Sequence, residues 1–151
     1  MSDERNPVRL YVTHAWKADD EYLRVFEFLE SSRNFYYRNL TRPAERPAGG
    51  RDAELDALRR MIDPAEIVLT LAAQYAEAAF WVDFQVTYAK AVRKPVVLLS
   101  RFGSGGVLPP SLVGQADETV DWNERAIVDA LRRLARHEQT NRWKTIDFKL
   151  D

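Results

Sequence analysis

The chain has 151 residues, and its 22 lysines and arginines nearly balance its 23 aspartates and glutamates, giving a formal net charge of -1 at pH 7. This balance excludes a general electrostatic attraction to nucleic acid or to an anionic membrane. The chain contains no cysteine, which excludes disulfides, thiol nucleophiles and cysteine metal ligands. Its length predicts one domain with a sizeable core.

The amino-terminal segment, residues 1–10, is charged and lacks a long apolar run. We therefore expect neither a secretion signal nor a membrane anchor, and cytoplasmic localisation is the resulting expectation. The two histidines, His14 and His137, fall on different predicted elements. This separation argues against a zinc site, so no metal is expected.

The first half of the chain alternates between strand and helix patterns. Residues 8–14 are β-rich and predict a central first strand. Asp19 or Asp20 is expected to cap a helix with one apolar stripe. Residues 35–40 predict a second strand, and residues 41–51 predict an exposed loop because they contain two prolines and a Gly-Gly pair.

The middle of the chain contains the most apolar segments. Asp52 is expected to cap a short helix, and residues 66–71 predict the third strand. Residues 78–92 are apolar on nearly every side of a helical wheel, which predicts a buried helix. Residues 95–100 form a short apolar run that is typical of a strand covered on both faces.

The last part begins with a glycine- and proline-rich loop over residues 103–110. Residues 119–122 predict a short edge strand, and Asn123 is expected to cap the final helix. We divide the chain into one domain, residues 1–138, and a tail, residues 139–151, that packs on the domain or on a partner.

Short apolar strands alternate with amphipathic helices five times. This order predicts the α/β class, a flavodoxin-like three-layer α/β/α sandwich around a mostly parallel five-stranded sheet. Ligands of such sheets bind beyond the carboxyl ends of the strands, near the switch in strand order. We therefore expect residues 13–16, the loop after Leu40 and the start of the buried helix to lie around one crevice.

Gln85 is the polar residue of greatest interest in the predicted buried helix. It follows Trp81 by four residues, so both side chains project from the same side about one turn apart. One interpretation is a core amide that bonds to the backbone or to water. The other is a functional group at the crevice.

Several of these features together resemble a TIR domain and, more narrowly, the TIR-like proteins of bacterial Thoeris anti-phage systems. The resemblance covers roughly residues 8–120, and it rests on the turn after the first strand, the long loop after the second, and the central helix. Its motifs are Thr13-His14-Ala15-Trp16, Gln74-Tyr75 and Trp81-Val82-Asp83-Phe84-Gln85, followed by Lys94-Pro95 and a hydrophobic strand.

The resemblance implies an enzyme that cleaves the nicotinamide–ribose bond of NAD, with NAD as substrate and no other cofactor. The implied product is an ADP-ribose-derived signalling nucleotide, either a cyclic ADP-ribose isomer or a conjugate such as histidine-ADP-ribose. That nucleotide diffuses to a separate effector, and TIR-to-TIR self-association is a further implied contact. The physical need is for a carboxylate beside the positive charge that develops on the ribose.

The chain departs from the family at that carboxylate, because the family's catalytic glutamate position is occupied by Gln85. The resemblance therefore carries over the site but predicts an impaired activity. Two explanations stay open: a natural form that only binds, or a deliberate glutamate-to-glutamine change that traps a ligand.

The same resemblance assigns substrate-binding positions around the crevice. A histidine there would contact a phosphate or ribose, and a tryptophan would stack on a base or cap the core. Loop arginines, Arg46 among them, would hold a diphosphate or be merely solvated. The predicted binding residues are Thr13, His14, Ala15, Trp16, Asn39, Arg42 and Trp81.

Two rival functions stay open. A non-enzymatic scaffold working through TIR-to-TIR contacts is favoured by the missing glutamate and by the aromatic tail. A nucleoside deoxyribosyltransferase-like enzyme would be favoured by an acidic side chain elsewhere in the crevice.

Overall fold

Five short strands form one sheet in which every neighbouring pair is parallel. The computed structural model describes residues 4–103 and 107–137. The spatial order of the strands is β2-β1-β3-β4-β5. Their bounds are β1 (Val8–Val12), β2 (Tyr37–Asn39), β3 (Ile67–Leu71), β4 (Val96–Leu99) and β5 (Glu118–Val120).

Helices cover both faces of this sheet. The helices are α1 (Asp20–Glu30), α2 (Arg51–Ile62), α3 (Ala72–Ala91), α4 (Pro110–Gln115) and α5 (Glu124–Arg136). Helices α1 and α5 pack on one face, and α2, α3 and α4 pack on the other. The predicted flavodoxin-like three-layer sandwich is thus confirmed.

The three inner strands are apolar except at Arg9 and Thr70, because each contributes to two cores. In β3, Ile67 and Leu69 pack under α1 and α5, whereas Val68 packs under α2 and α3. In β4, Val97 packs under α1 and α5, whereas Val96 packs under α2 and α3. Successive side chains of a strand point to opposite faces, so a strand covered on both faces must be apolar at nearly every position.

Two of the predicted helix caps are confirmed and one is wrong. The Asp19 side chain accepts the Tyr22 N–H at 2.8 Å, and the Asn123 side chain accepts the Ala126 N–H at 2.9 Å. The predicted cap at Asp52 is incorrect, because α2 begins at Arg51 with Gly50 as its cap. Gly50 has a φ of 84°, which favours glycine, and this backbone turn sets the start of the helix.

Helix α3 is kinked. It starts at Ala72 directly after β3, and Ala78, the first residue of the apolar stretch, has non-helical angles of φ -138° and ψ 38°. The apolar pattern locates only the long second half, because the first half is a separate short helical segment. Helix α4 was not predicted.

The predicted tail, residues 139–151, lies outside the described residues. Within the described ranges, no helix combines the length and the apolar character that crossing a membrane requires.

Candidate functional site

The candidate site lies at the carboxyl ends of β1 and β3. The chain order of neighbouring strands reverses between these two strands, and such switch points are where sheets of this kind bind ligands. Residues 13–16 leave β1 at this edge, and α3 begins beside them, directly after β3.

A buried polar cluster fixes the two strand ends to one another. The Thr13 hydroxyl donates to the Gln74 side-chain oxygen at 2.8 Å, and the Gln74 amide donates back to the Thr13 carbonyl at 2.8 Å. The hydroxyls of Thr13 and Thr70 are 3.0 Å apart. All three side chains are buried, so this layer forms a rigid floor at the sheet edge.

Gln85 is fully buried beside this floor, and its amide is completely used. Its oxygen accepts the Tyr11 hydroxyl at 2.5 Å and the His14 N–H at 3.1 Å. Its nitrogen donates to the carbonyls of His14 and Trp81, each at 2.7 Å. The geometry matches the interpretation of a core amide bonded to the backbone, at the edge of the crevice.

This bonding pattern is specific for an amide. A carboxylate in the same position would place an oxygen where Gln85 has its nitrogen, against the carbonyl oxygens of His14 and Trp81. Because two acceptors repel, such a carboxylate would take up a proton or turn away. Gln85 itself can hold groups in place but cannot act as a base at neutral pH.

His14 is buried and uncharged. Its Nδ1 accepts the Trp16 N–H at 2.9 Å, so the imidazole proton lies on Nε2. Burial lowers the pKa of His14 to about 4. The Nε2 atom is shielded from solvent and has no hydrogen-bond partner among the described residues.

Trp16 adds a second donor of the same kind. Its indole Nε1 is also buried without a partner in the described part of the chain. The ring meets His14 edge-on at a centroid distance of 4.9 Å and Trp81 at 6.3 Å. The backbone φ of Trp16 is 63°, a left-handed conformation that is rare for a bulky residue.

Two guanidinium groups lie over the ring of Trp81. The carbon centres of Arg46 and Arg51 are 5.7 and 5.0 Å from the ring centroid. Glu54 accepts the Arg46 Nε–H at 2.6 Å and lies 4.0 Å from the Arg51 Nε. Two cations therefore share one carboxylate, which leaves this wall with a net positive charge.

The other predicted binding residues have different surroundings. Asn39 accepts the Thr41 N–H at 2.9 Å, and its amide nitrogen lies 3.3 Å from the Tyr22 hydroxyl. Arg42 is exposed and pairs with Glu45 in its own loop at 3.3 Å, so of the two loop arginines considered as phosphate ligands, Arg46 and not Arg42 lies over Trp81. Ala15 is half-buried between His14 and Trp16.

Sequence reasoning missed Arg51 and Tyr11, and it also missed an acidic residue, Glu21. The Glu21 side chain reaches from the first turn of α1 toward the loop after β4, where one oxygen accepts the Phe102 N–H at 3.4 Å. The other oxygen is buried without a partner among the described residues, and burial raises the pKa of the carboxyl. Nothing local distinguishes Glu21 from an ordinary acidic residue at a helix start.

Comparisons with known proteins bear on the fold. No family model and no curated protein matches the chain. A solved Burkholderia pseudomallei protein with the description pilus assembly-related is similar, with a TM-score of 0.53 and 15% identity over 88% of this chain and 92% of that one.

A second solved structure, a 3-dehydroquinate dehydratase-like protein from Bifidobacterium longum, has 14% identity, covers 89% of this chain and 98% of that chain, and gives a TM-score of 0.44. At identities this low, structural similarity indicates only a shared fold. Function depends on the residues of the site, which such a similarity does not establish. The likeness to the Burkholderia pseudomallei protein therefore supports the parallel α/β fold described above, and only the fold.

Proposed function

We propose that this protein is a TIR-like nucleotide-binding domain of bacterial anti-phage defence, which holds NAD or an ADP-ribose-derived nucleotide at the carboxyl ends of β1 and β3. The observation that carries the proposal is the ring of Trp81 beneath Arg46 and Arg51, one helical turn before Gln85. A nucleotide combines a flat base with anionic phosphates, and this wall offers two guanidinium groups packed on an aromatic ring.

The charge of the wall favours a diphosphate. Glu54 engages Arg46 at 2.6 Å but is 4.0 Å from Arg51, so Arg51 is the less occupied of the two cations. A guanidinium presents several N–H donors in a fork that matches phosphate oxygens. Arg51 is therefore the residue that we expect to take most of the phosphate charge.

The bonds of Gln85 support binding without efficient turnover. Loss of nicotinamide from NAD develops positive charge on the ribose, and an amide supplies no compensating negative charge. Both amide hydrogens of Gln85 are already donated to main-chain carbonyls. In this proposal the protein retains the TIR-like nucleotide site and cleaves NAD slowly or not at all, and glutamine is the residue its surroundings require.

Calorimetry with the full chain tests the binding. We expect NAD and ADP-ribose to bind, and Arg51→Gln to weaken both by about tenfold. Arg60→Gln is the matched control, because Arg60 lies on the same helix and pairs with Asp56 at 2.6 Å. If neither NAD nor ADP-ribose binds, the proposal is overturned and a non-enzymatic interaction module is favoured.

Nicotinamide release tests the catalytic part. The wild-type chain and Gln85→Glu are incubated with NAD below the melting temperature of the variant. We expect very slow release from the wild type and faster release from the variant, because a glutamate that turns away from the carbonyls of His14 and Trp81 supplies the carboxylate that the reaction needs. Equal release from the two proteins would show that position 85 does not limit the reaction.

A second candidate function, a nucleoside-processing enzyme of the deoxyribosyltransferase kind, is favoured by Glu21. Its buried, unpartnered oxygen and raised pKa are typical of carboxyls that act on a sugar. Base exchange on deoxynucleosides, measured for the wild type and Glu21→Gln, tests this function. Glu27→Gln on the exposed side of α1 is the control, and absence of exchange in the wild type excludes this candidate.

A further inference from the structure

Two buried N–H groups at the end of β1 have no partner among the described residues: Nε2–H of His14 and Nε1–H of Trp16. A buried donor without an acceptor is costly, and most folded proteins avoid it. Here two occur on rings that touch, with centroids 4.9 Å apart. We propose that together they bind the carbonyl oxygen of a flat heterocycle; this inference rests on the proposed nucleotide site and specifies which ring enters it.

The protonation of His14 is fixed by geometry. Its Nδ1 is the acceptor for the Trp16 N–H, so only Nε2 can carry the proton in the neutral ring. Burial holds the pKa of His14 near 4, which keeps the ring neutral at physiological pH. The imidazole and the indole therefore present donors only, and neither can accept a hydrogen bond in the ring plane.

The surroundings favour a neutral oxygen over a full anion. His14 has no exposed surface, Trp16 has 8%, and both rings lie against other aromatic side chains. A carboxylate or phosphate would lose its hydration here and gain only neutral donors, which is unfavourable. A carbonyl oxygen has two lone pairs for the two donors, and its ring can pack against the tryptophans.

The backbone of Trp16 supports a functional role for this arrangement. Its φ of 63° places a bulky side chain in the left-handed region, and such strain is concentrated at binding and catalytic sites. The N–H bond to His14 Nδ1 holds the conformation and couples the orientations of the two rings. The pair therefore acts as one recognition element.

This assignment predicts a choice between bases. Inosine monophosphate carries an oxygen at the purine position where AMP carries an amino group, and the adjacent nitrogen N1 is a donor in the former and an acceptor in the latter. The oxygen can accept from both donors, whereas the amino group would place donors against donors. Nicotinamide mononucleotide supplies a carbonyl oxygen from a different ring, a pyridine carboxamide.

NMR titration of the nitrogen-15-labelled full chain is the test. The chain has four tryptophans, and Trp16→Phe identifies the indole signal of Trp16. We expect inosine monophosphate and nicotinamide mononucleotide to move this signal downfield and AMP to leave it in place. We also expect inosine monophosphate to bind at least about fivefold more tightly than AMP.

Variants separate the two donors from the packing of their rings. Trp16→Phe keeps an aromatic ring, and His14→Asn keeps an acceptor for the Trp16 N–H, yet each removes one of the two ring N–H groups. Both should bring the affinity ratio of the two purine nucleotides close to one. Trp122→Phe is the control, because the Trp122 indole already donates to the Ser100 carbonyl at 2.6 Å.

The outcomes distinguish this inference from the proposed function. If AMP binds as well as inosine monophosphate and the Trp16 signal does not move, the carbonyl site is refuted while nucleotide binding stands. If free nicotinamide or inosine moves the signal but no nucleotide binds, the carbonyl site stands and the nucleotide function fails. No response to any of these probes at millimolar concentration overturns both.

Discussion

The side chain of Gln85 makes a two-way hydrogen bond with the main chain of His14, accepting its N–H at 3.1 Å and donating to its carbonyl at 2.7 Å. This exchange resembles the pairing between neighbouring strands, and it continues the support of β1 beyond Val12, where the strand ends. Helix α3 thereby sets the position of the residues that form the candidate site.

Replacing Gln85 by glutamate should destabilise the fold. The variant loses two donors to buried carbonyls, and we expect a loss of about 3 kcal/mol in the free energy of unfolding at pH 7. The loss should shrink toward pH 4, because protonation of the buried carboxyl restores one donor. Urea unfolding at both pH values measures the change.

Gln115→Glu is the matched control for this prediction. Gln115 lies on α4 in a partly exposed position, and its amide makes only long contacts, donating to the Ser111 carbonyl at 3.5 Å and accepting the Thr87 hydroxyl at 3.4 Å. We expect a change below about 0.5 kcal/mol there. Similar losses at the two positions would contradict the role assigned to the Gln85 amide.

The stability of the protein should fall as the pH is lowered through the range set by His14. Burial lowers the pKa of this imidazole from its usual value to about 4, so the unfolded chain binds a proton at higher pH than the folded chain does. The contribution of uncharged His14 to the free energy of unfolding is therefore complete above about pH 6.5. It decreases toward pH 4, by about 3 kcal/mol in total. Denaturant melts across this range measure the slope.

His14→Asn should remove most of that slope, since asparagine does not titrate and retains an acceptor for the Trp16 N–H. His137→Asn is the control, because His137 is exposed at the end of α5 and has a φ of 57°, which asparagine tolerates. An unchanged slope in His14→Asn would assign the pH dependence to other groups.

Arg93→Gly should stabilise the protein. Arg93 follows α3 with a φ of 64°, and its N–H and that of Lys94 close the helix on the carbonyls of Lys90 and Ala89. Glycine is favoured at this position because it has no Cβ to clash. We expect a gain of about 0.5–1 kcal/mol by thermal or urea unfolding, and no gain for Arg93→Ala, which retains the clash.

Tyr75→Phe should loosen the first segment of α3. The Tyr75 hydroxyl donates to Asp83 at 2.8 Å and lies 2.9 Å from the Ser111 hydroxyl, so it links the two sides of the kink at Ala78 and joins them to α4. We expect a loss of about 1 kcal/mol and faster amide hydrogen exchange over residues 72–78.

The control for that exchange measurement is Tyr88→Phe. Tyr88 lies after the kink, and its hydroxyl donates to Asp63 on the neighbouring helix end at 2.6 Å. Its loss should also reduce stability, but exchange over residues 72–78 should not change. Equal effects of the two variants would mean that the kink is not held by Tyr75.

The helix caps and the buried strands could be predicted from the sequence, because residues close together in the chain determine them. The caps at Asp19 and Asn123 depend on residues three positions away, and the inner strands show their burial in short, mostly apolar runs. The start of α2 was mispredicted because the backbone angle at Gly50 outweighs the capping preference of Asp52.

The site was only partly predictable because its contacts join distant parts of the chain. Gln85 was selected from its spacing and its resemblance, but its bond to the Tyr11 hydroxyl spans 74 residues and has no local signal. Arg51 reaches Trp81 only because α2 packs beside α3. The unpaired state of the His14 and Trp16 donors is likewise a property of the assembled edge.

The outermost strands, β2 and β5, have three residues each and flank longer inner strands. Strands this short expose few unpaired backbone groups, so they give another chain little to pair with. Fibril growth by adding strands to the edges of this sheet is accordingly disfavoured. We expect copies of the chain to contact one another through their helices and loops instead.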